Sequence, residues 1–325
     1  AGLQRRYLEE MRTFLRGLGV KAPICGTNIT FTLGDLWASQ DMDYTNDHAY
    51  ADHPNVGARP MTFGNGCAVR SPPWALSILP DFARAKVVGK PLVASEWNFC
   101  YPNDWRSEGL PLMTAYSAFQ DWDGLLFYCA TGSFDGGRWS RFHEAPRILV
   151  HSQQTDPSTW GLTQACALAF RRRDIAPSAR RVILRYTEDD IWRNQSVLGH
   201  VPFLAALTRV ETQRVAAGEG VAWPMDTKPG VPSSELYREA LSRLPTPGAS
   251  DHCVTGDTGE IRRYTDSGLL VVDTDRTKMA AGALYSLTDT GRGFSGVNIS
   301  SPNRFGTLAL SSLDTQPLAR SSRIL

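Results

Sequence analysis

The stretch Lys90-Pro91-Leu92-Val93-Ala94-Ser95-Glu96-Trp97-Asn98 decides how this chain is read. Its first half is short, apolar, rich in strand formers and bounded by Gly89 and Pro91, so it reads as a buried strand of an α/β protein. Glu96 then stands at the mouth of that strand, beside the indole of Trp97. A carboxylate at the C-terminal rim of a barrel strand, next to an aromatic surface, suits chemistry in which a positive, oxocarbenium-like centre is stabilised and a flat ring is stacked. The plain alternative is a solvated glutamate that merely ends a strand.

Outward from that strand, the chain alternates helices and strands. Leu3, Tyr7, Leu8, Met11, Phe14, Leu15 and Leu18 fall at three- and four-residue spacings and predict an amphipathic helix over 3–18, closed by Gly17 and Gly19. Strands are expected at Val20 to Thr27, Met42 to Tyr50, Pro91 to Ser95 and Leu125 to Ala130, with a helix at Pro111 to Phe119. Such alternation argues for parallel βα units. Farther on, Val201 to Val215 has a helical period, Pro224 to Pro232 is a Pro/Gly-rich connection, and Glu235 to Leu244 is a second helix. After the Pro245-Thr246-Pro247-Gly248 boundary come strands at Glu260 to Tyr264, Leu269 to Thr274, Ala281 to Leu287, Gly296 to Ser300 and Leu308 to Leu313, the first two joined by a Thr265-Asp266-Ser267-Gly268 turn. The expected organisation is an α/β unit at 1–190, a helical and Pro/Gly-rich connection at 191–247, and a small antiparallel β-domain at 248–325.

Composition narrows the partners. A 325-residue chain with 42% hydrophobic and 21% charged residues has enough apolar surface for real cores. Its formal net charge of +1 gives no reason to expect a nucleic acid, and Arg171-Arg172-Arg173 and Arg180-Arg181 sit near Asp174 and Glu188, as on a solvated edge. Cys25, Cys67, Cys100, Cys129, Cys166 and Cys253 form no C-x-x-C pair and have no zinc-like histidine spacing, so neither a metal nor a disulfide framework is expected. Cys25 and Cys129 lie in apolar runs and read as small buried hydrophobes. There is no apolar run long enough to span a membrane and no leader pattern, although a start at Ala1 rather than Met suggests that the natural start lies upstream.

Four stretches together carry a resemblance: Gly19-Val20-Lys21-Ala22-Pro23-Ile24-Cys25-Gly26-Thr27-Asn28, Asp47-His48-Ala49-Tyr50, Ala94-Ser95-Glu96-Trp97-Asn98 and Trp122-Asp123-Gly124-Leu125-Leu126-Phe127-Tyr128. In order and spacing they resemble the later strands of a clan A glycoside hydrolase of the family 5, cellulase-like type. The resemblance implies the later half of a (β/α)8 TIM barrel, in which a retaining two-carboxylate mechanism uses a nucleophilic Glu after strand seven. Glu96 matches that nucleophile. Ala22 to Asn28 would be strand five, the segment ending at His48 and Tyr50 strand six, and Leu125 to Ala130 strand eight.

On this reading Tyr50 orients Glu96 through a hydrogen bond, His48 faces the same cleft because residues two apart share a strand face, Asn28 binds a sugar hydroxyl, and Trp97 and Tyr128 stack on sugar rings. Each has a plainer reading, Asn28 as a turn residue and the aromatics as core. The substrate would be an oligo- or polysaccharide, without cofactor, and the family implies a secreted or periplasmic location. The acid/base Glu of the family has no counterpart: only a helix precedes strand five, and Glu9 and Glu10 lie on it. Asp135 and Glu144 follow strand eight without a reason to stand at the required separation. The expectation is a chain whose N-terminal half-barrel is missing. The competing reading is a non-catalytic carbohydrate-binding or structural protein; a Ser-His-Asp hydrolase is disfavoured because no G-x-S-x-G elbow occurs.

Overall fold

The computed structural model describes residues 1–55, 62–135, 138–140, 148–193, 203–216, 232–246, 248–289 and 291–325. The Pro/Gly-rich connection at 224–232 falls almost wholly outside them, as do Glu144 and the side chain of Asp135.

Helix α1 (Gly2–Gly17) buries none of its side chains completely and is anchored by charge. Arg12 and Arg16 both bind the carboxylate of Asp43, which also accepts the backbone N–H of Ile24 at 2.8 Å. That backbone N–H, with both guanidiniums, holds the Asp43 carboxyl below its ordinary pKa. Gly19 turns the chain at φ +86°. The strand expected at Val20 to Thr27 does not form: only Cys25 makes a lone parallel bridge, to Tyr44. Pro23, which has no N–H to give to a ladder, sits inside the segment.

A short helix α2 (Leu33–Ser39), closed at its start by a Thr32–Asp35 capping box, leads into β1 (Thr45–Ala51). Helix α3 (Leu79–Ala85) then connects to β2 (Leu92–Phe99), and helix α4 (Gly109–Phe119) to β3 (Gly124–Phe127). The three strands form one parallel sheet in the order β1-β2-β3. All eleven residues of α4 are buried, because it packs on α6 (Thr163–Arg171), β10 (Leu269–Asp273) and β11 (Thr277–Gly282). The short elements β4 (Ser133–Asp135), β5 (Arg138–Ser140) and α5 (Pro157–Trp160) lie between β3 and α6.

One irregularity in β2 sets the site. Asp47 pairs with Ala94 but His48 pairs with Glu96, so Ser95 is an unmatched residue, a bulge. Ala94 and Trp97 are three apart, yet both are buried against the core, at 0% and 1% exposure. Strict alternation from Ala94 would have sent Glu96 into that core; the extra residue turns it to the opposite face. Trp97 therefore packs edge-on against Phe127, with ring centroids 4.9 Å apart, and presents no face to a ligand. The expected stacking role of Trp97 is corrected: as an immediate neighbour of Glu96 on an extended strand it points the other way.

A second parallel pair joins β6 (Arg181–Tyr186) to β7 (Arg209–Arg214), and Thr212 bridges Val87 just ahead of β2. Between them lie α7 (Glu188–Arg193) and the single turn α8 (Leu204–Leu207), so the helical period over 201–215 misled: its second half is strand. The buried side chain of Gln120 decides this. Its amide donates to the carbonyls of Ala205 and Thr208 at 2.7 and 2.6 Å and accepts the N–H of Val210 at 2.9 Å, stopping the helix and starting the strand.

Helix α9 (Ser233–Arg243) precedes an antiparallel sheet of β8 (Cys253–Thr255), β9 (Ile261–Tyr264), β10, β11 and β12 (Gly306–Ser311), ordered β12-β11-β10-β9-β8. The strand expected at Ala281 to Leu287 ends at Gly282 and continues as a 3-10 turn over Leu284–Thr288; none forms over Gly296 to Ser300. Gly282, at φ +109°, is required by contact as well as conformation, since a Cβ there would stand 1.9 Å from the Gly268 carbonyl oxygen. The inner face of the sheet, with Val254, Ile261, Leu270, Val272, Met279 and Ala281, shares one hydrophobic core with α4 and the parallel sheet. Arg263 lies on that face, 1% exposed. Its guanidinium donates to the carbonyls of Ala68, Ser71, Pro72, Pro73 and Ala75, tying the antiparallel sheet to the connection after β1.

The six cysteines are free, and the buried ones are Cys100 and Cys166; Cys25 and Cys129, expected inside, are only partly covered. Arg172 is also less solvated than its sequence context suggests, bound to Asp174, the Ser312 carbonyl and the Ser311 hydroxyl. No helix among the described residues is long and apolar enough to cross a membrane.

Candidate functional site

In a parallel pair, residues in lateral register point to the same side. His48 pairs with Glu96 and Tyr50 with Asn98, so these four side chains leave the sheet together, opposite the core-facing Ala49, Ala51, Trp97 and Phe99. The Tyr50 hydroxyl donates to Glu96 Oε1. Burial, followed by the hydrogen bond to the Glu96 carboxylate, raises the Tyr50 pKa far above that of a free phenol, so the hydroxyl stays a donor at any physiological pH. Tyr128, directly after β3, sets its ring 6.2 Å from that of Tyr50, nearly perpendicular to it.

His48 Nδ1 lies 2.9 Å from Asn28 Oδ1, which brings exposed Asn28 to the same face. The loop holding Asn28 is fastened from beneath by Asp47, a carboxylate with no exposed surface. Asp47 Oδ1 accepts the N–H of Thr30 at 3.0 Å and that of His48 at 2.8 Å. Its Oδ2 lies 3.9 Å from Arg84 Nε and has no hydrogen-bond partner among the described residues. Burial outweighs these contacts and pushes the Asp47 pKa up to about 7.

Two histidines join the group that the sequence did not single out. Buried Asn98 donates to the carbonyls of Tyr128 and His151 at 2.6 and 3.0 Å, gathering the chain after β3 onto the end of β2. The His151 ring then stands 5.4 Å from Tyr50 and 5.6 Å from Tyr128, and exposed His53 stands 5.1 Å from Tyr50. His53 sits three residues past Tyr50, a position a strand-end argument can reach. His151 is 53 residues from Asn98, and no local signal brings it here. Burial, with the neighbouring His53, lowers the His151 pKa to about 4.

The structure thus brings Glu96, Tyr50, His48, Asn28 and Tyr128 to one open face and leaves Trp97 behind it. The group combines a carboxylate with a fixed orientation, a phenol donor and several imidazole and aromatic edges, a set able to hold a polyhydroxylated ligand and to attack an electrophilic carbon. No three His, Cys, Asp or Glu side chains among the described residues are arranged to hold a metal. A cavity of about 540 Å³ lies elsewhere, beside Arg262, Phe294 and Asn298, and includes none of these residues. No family model matches the chain, and neither a curated protein nor a solved structure is similar to it.

Proposed function

We propose that this chain carries the nucleophile half of a retaining glycoside hydrolase, with Glu96 attacking the anomeric carbon of a bound oligo- or polysaccharide to form a covalent glycosyl-enzyme. The observation that carries the reading is the Tyr50–Glu96 hydrogen bond between neighbouring parallel strands, on the polar face of the sheet. It fixes the angle of the carboxylate and withdraws charge from one oxygen, leaving the other to attack. His48 and Asn28 are then hydrogen-bonding groups for sugar hydroxyls, and Tyr128 offers a ring edge to the sugar.

What supports the barrel reading is the parallel run of β1, β2 and β3, each preceded by a helix; the strand five that it calls for is not formed. Helix α3 packs on β1, and on this reading the polar face of the sheet would line the barrel interior. A retaining enzyme needs a general acid about 5 Å from the nucleophile, and none of the described side chains is assigned that role.

A substrate that needs no acid tests the nucleophile alone. A panel of dinitrophenyl 2-deoxy-2-fluoroglycosides of gluco, manno, galacto and xylo configuration should leave one fluoroglycosyl adduct, found by mass spectrometry on the peptide containing Glu96. Glu96→Gln should abolish it while preserving the fold. The reading fails if the adduct survives that substitution or forms with no sugar of the panel, and a non-catalytic carbohydrate-binding protein then remains.

A further inference from the structure

At the edge of the same face two imidazoles meet nitrogen to nitrogen. His53 Nε2 and His151 Nε2 are 3.2 Å apart, with ring planes tilted by 46°. His53 Nδ1 lies 2.9 Å from the carbonyl oxygen of Pro54. A carbonyl has no hydrogen to give, so Nδ1 carries the proton and the neutral ring aims the lone pair of Nε2 at His151. Metal-bound histidines are commonly oriented in this way, the remote N–H held by a carbonyl oxygen. Two histidine nitrogens on one tetrahedral zinc, each at 2.0–2.1 Å, stand about 3.3 Å from one another. The pair already has that spacing.

We propose that His53 and His151 form a two-imidazole site for a divalent transition-metal cation of the Zn²⁺ class, in which the ion replaces the hydrogen between the two Nε2 atoms. In the metal-free pair that hydrogen sits on His151 Nε2 and is donated to His53. On binding the His151 ring changes tautomer, its proton passing from Nε2 to Nδ1 by way of solvent, and the ion takes the two Nε2 lone pairs. Among the described residues no third His, Cys, Asp or Glu joins the pair. With the Tyr50 ring 5.1 and 5.4 Å from the two imidazoles, the ion would add positive charge beside the Tyr50–Glu96 pair. The site does not depend on the glycosidase reading.

The test is calorimetric titration of the tag-free chain with zinc chloride at pH 7.5, with the visible spectrum of added cobalt reporting imidazole ligation. One saturable ion per chain is expected. His53→Ala and His53→Gln, substitutions at an exposed position, should weaken it at least about tenfold. His252→Ala, just ahead of β8, should bind as the parent does, and circular dichroism should be unchanged throughout. Absence of saturable binding by the parent, or unchanged affinity in both His53 variants, overturns the proposal and leaves a hydrogen-bonded pair.

Discussion

Asp47→Asn should make folding stability less dependent on pH, by an amount that follows from its burial. The Asp47 carboxyl titrates near its ordinary 3.8 in the unfolded chain and at about 7 in the folded one. Between those values the folded protein keeps a proton that the unfolded chain releases. Stability from this group is thus complete below about pH 3.8 and falls as pH rises toward 7, by about 1.4 kcal/mol per pH unit and about 4 kcal/mol in all. Asparagine keeps the oxygen that accepts from Thr30 and His48 and removes the ionisation. Its amide nitrogen, replacing Oδ2 near Arg84, adds a fixed cost of about 1–3 kcal/mol. Glu108, whose pKa burial raises to about 7, and His151, lowered to about 4, titrate in both proteins and cancel in the comparison. Urea denaturation of parent and variant at pH 4.5 and 6.5 should show the difference moving by about 3 kcal/mol in favour of Asp47→Asn. A difference that stays constant would refute the reasoning and mean that Arg84 pairs the carboxylate well enough to keep it ionised.

Tyr50→Phe should slow fluoroglycoside labelling of Glu96 about 10- to 1000-fold, by analogy with the loss of one preorganised hydrogen bond; an unchanged rate means the ring only packs. Trp97→Ala should destabilise the fold by about 3–5 kcal/mol in chemical denaturation, and a loss under 1 kcal/mol would place the indole outside the core. Arg263→Met should cost about 3–5 kcal/mol, because five carbonyls around the guanidinium lose their donor, and unchanged thermal unfolding would refute that count.

The sequence by itself determined the elements whose signals are local. The amphipathic spacing of Leu3 to Leu18, the apolar run around Leu92 to Ala94 and the Thr265–Gly268 turn all describe elements close to those observed, since period and turn chemistry act over a few residues. His48, Tyr50 and Glu96 could be named together because two short strands carry them. Tertiary structure decided what depends on distant contacts. Gln120 cut short a helical period 85 residues away, and the inner face of the antiparallel sheet joined the core around α4. One unmatched residue, Ser95, sent Glu96 to the open face while Ala94 and Trp97 stayed inside, which alternation read from the sequence does not reveal. His151 reached Tyr50 only through Asn98, whose two backbone hydrogen bonds join segments that the chain keeps apart. A bulge and a buried amide are each selected by the partners they meet, and those partners exist only once the chain has folded.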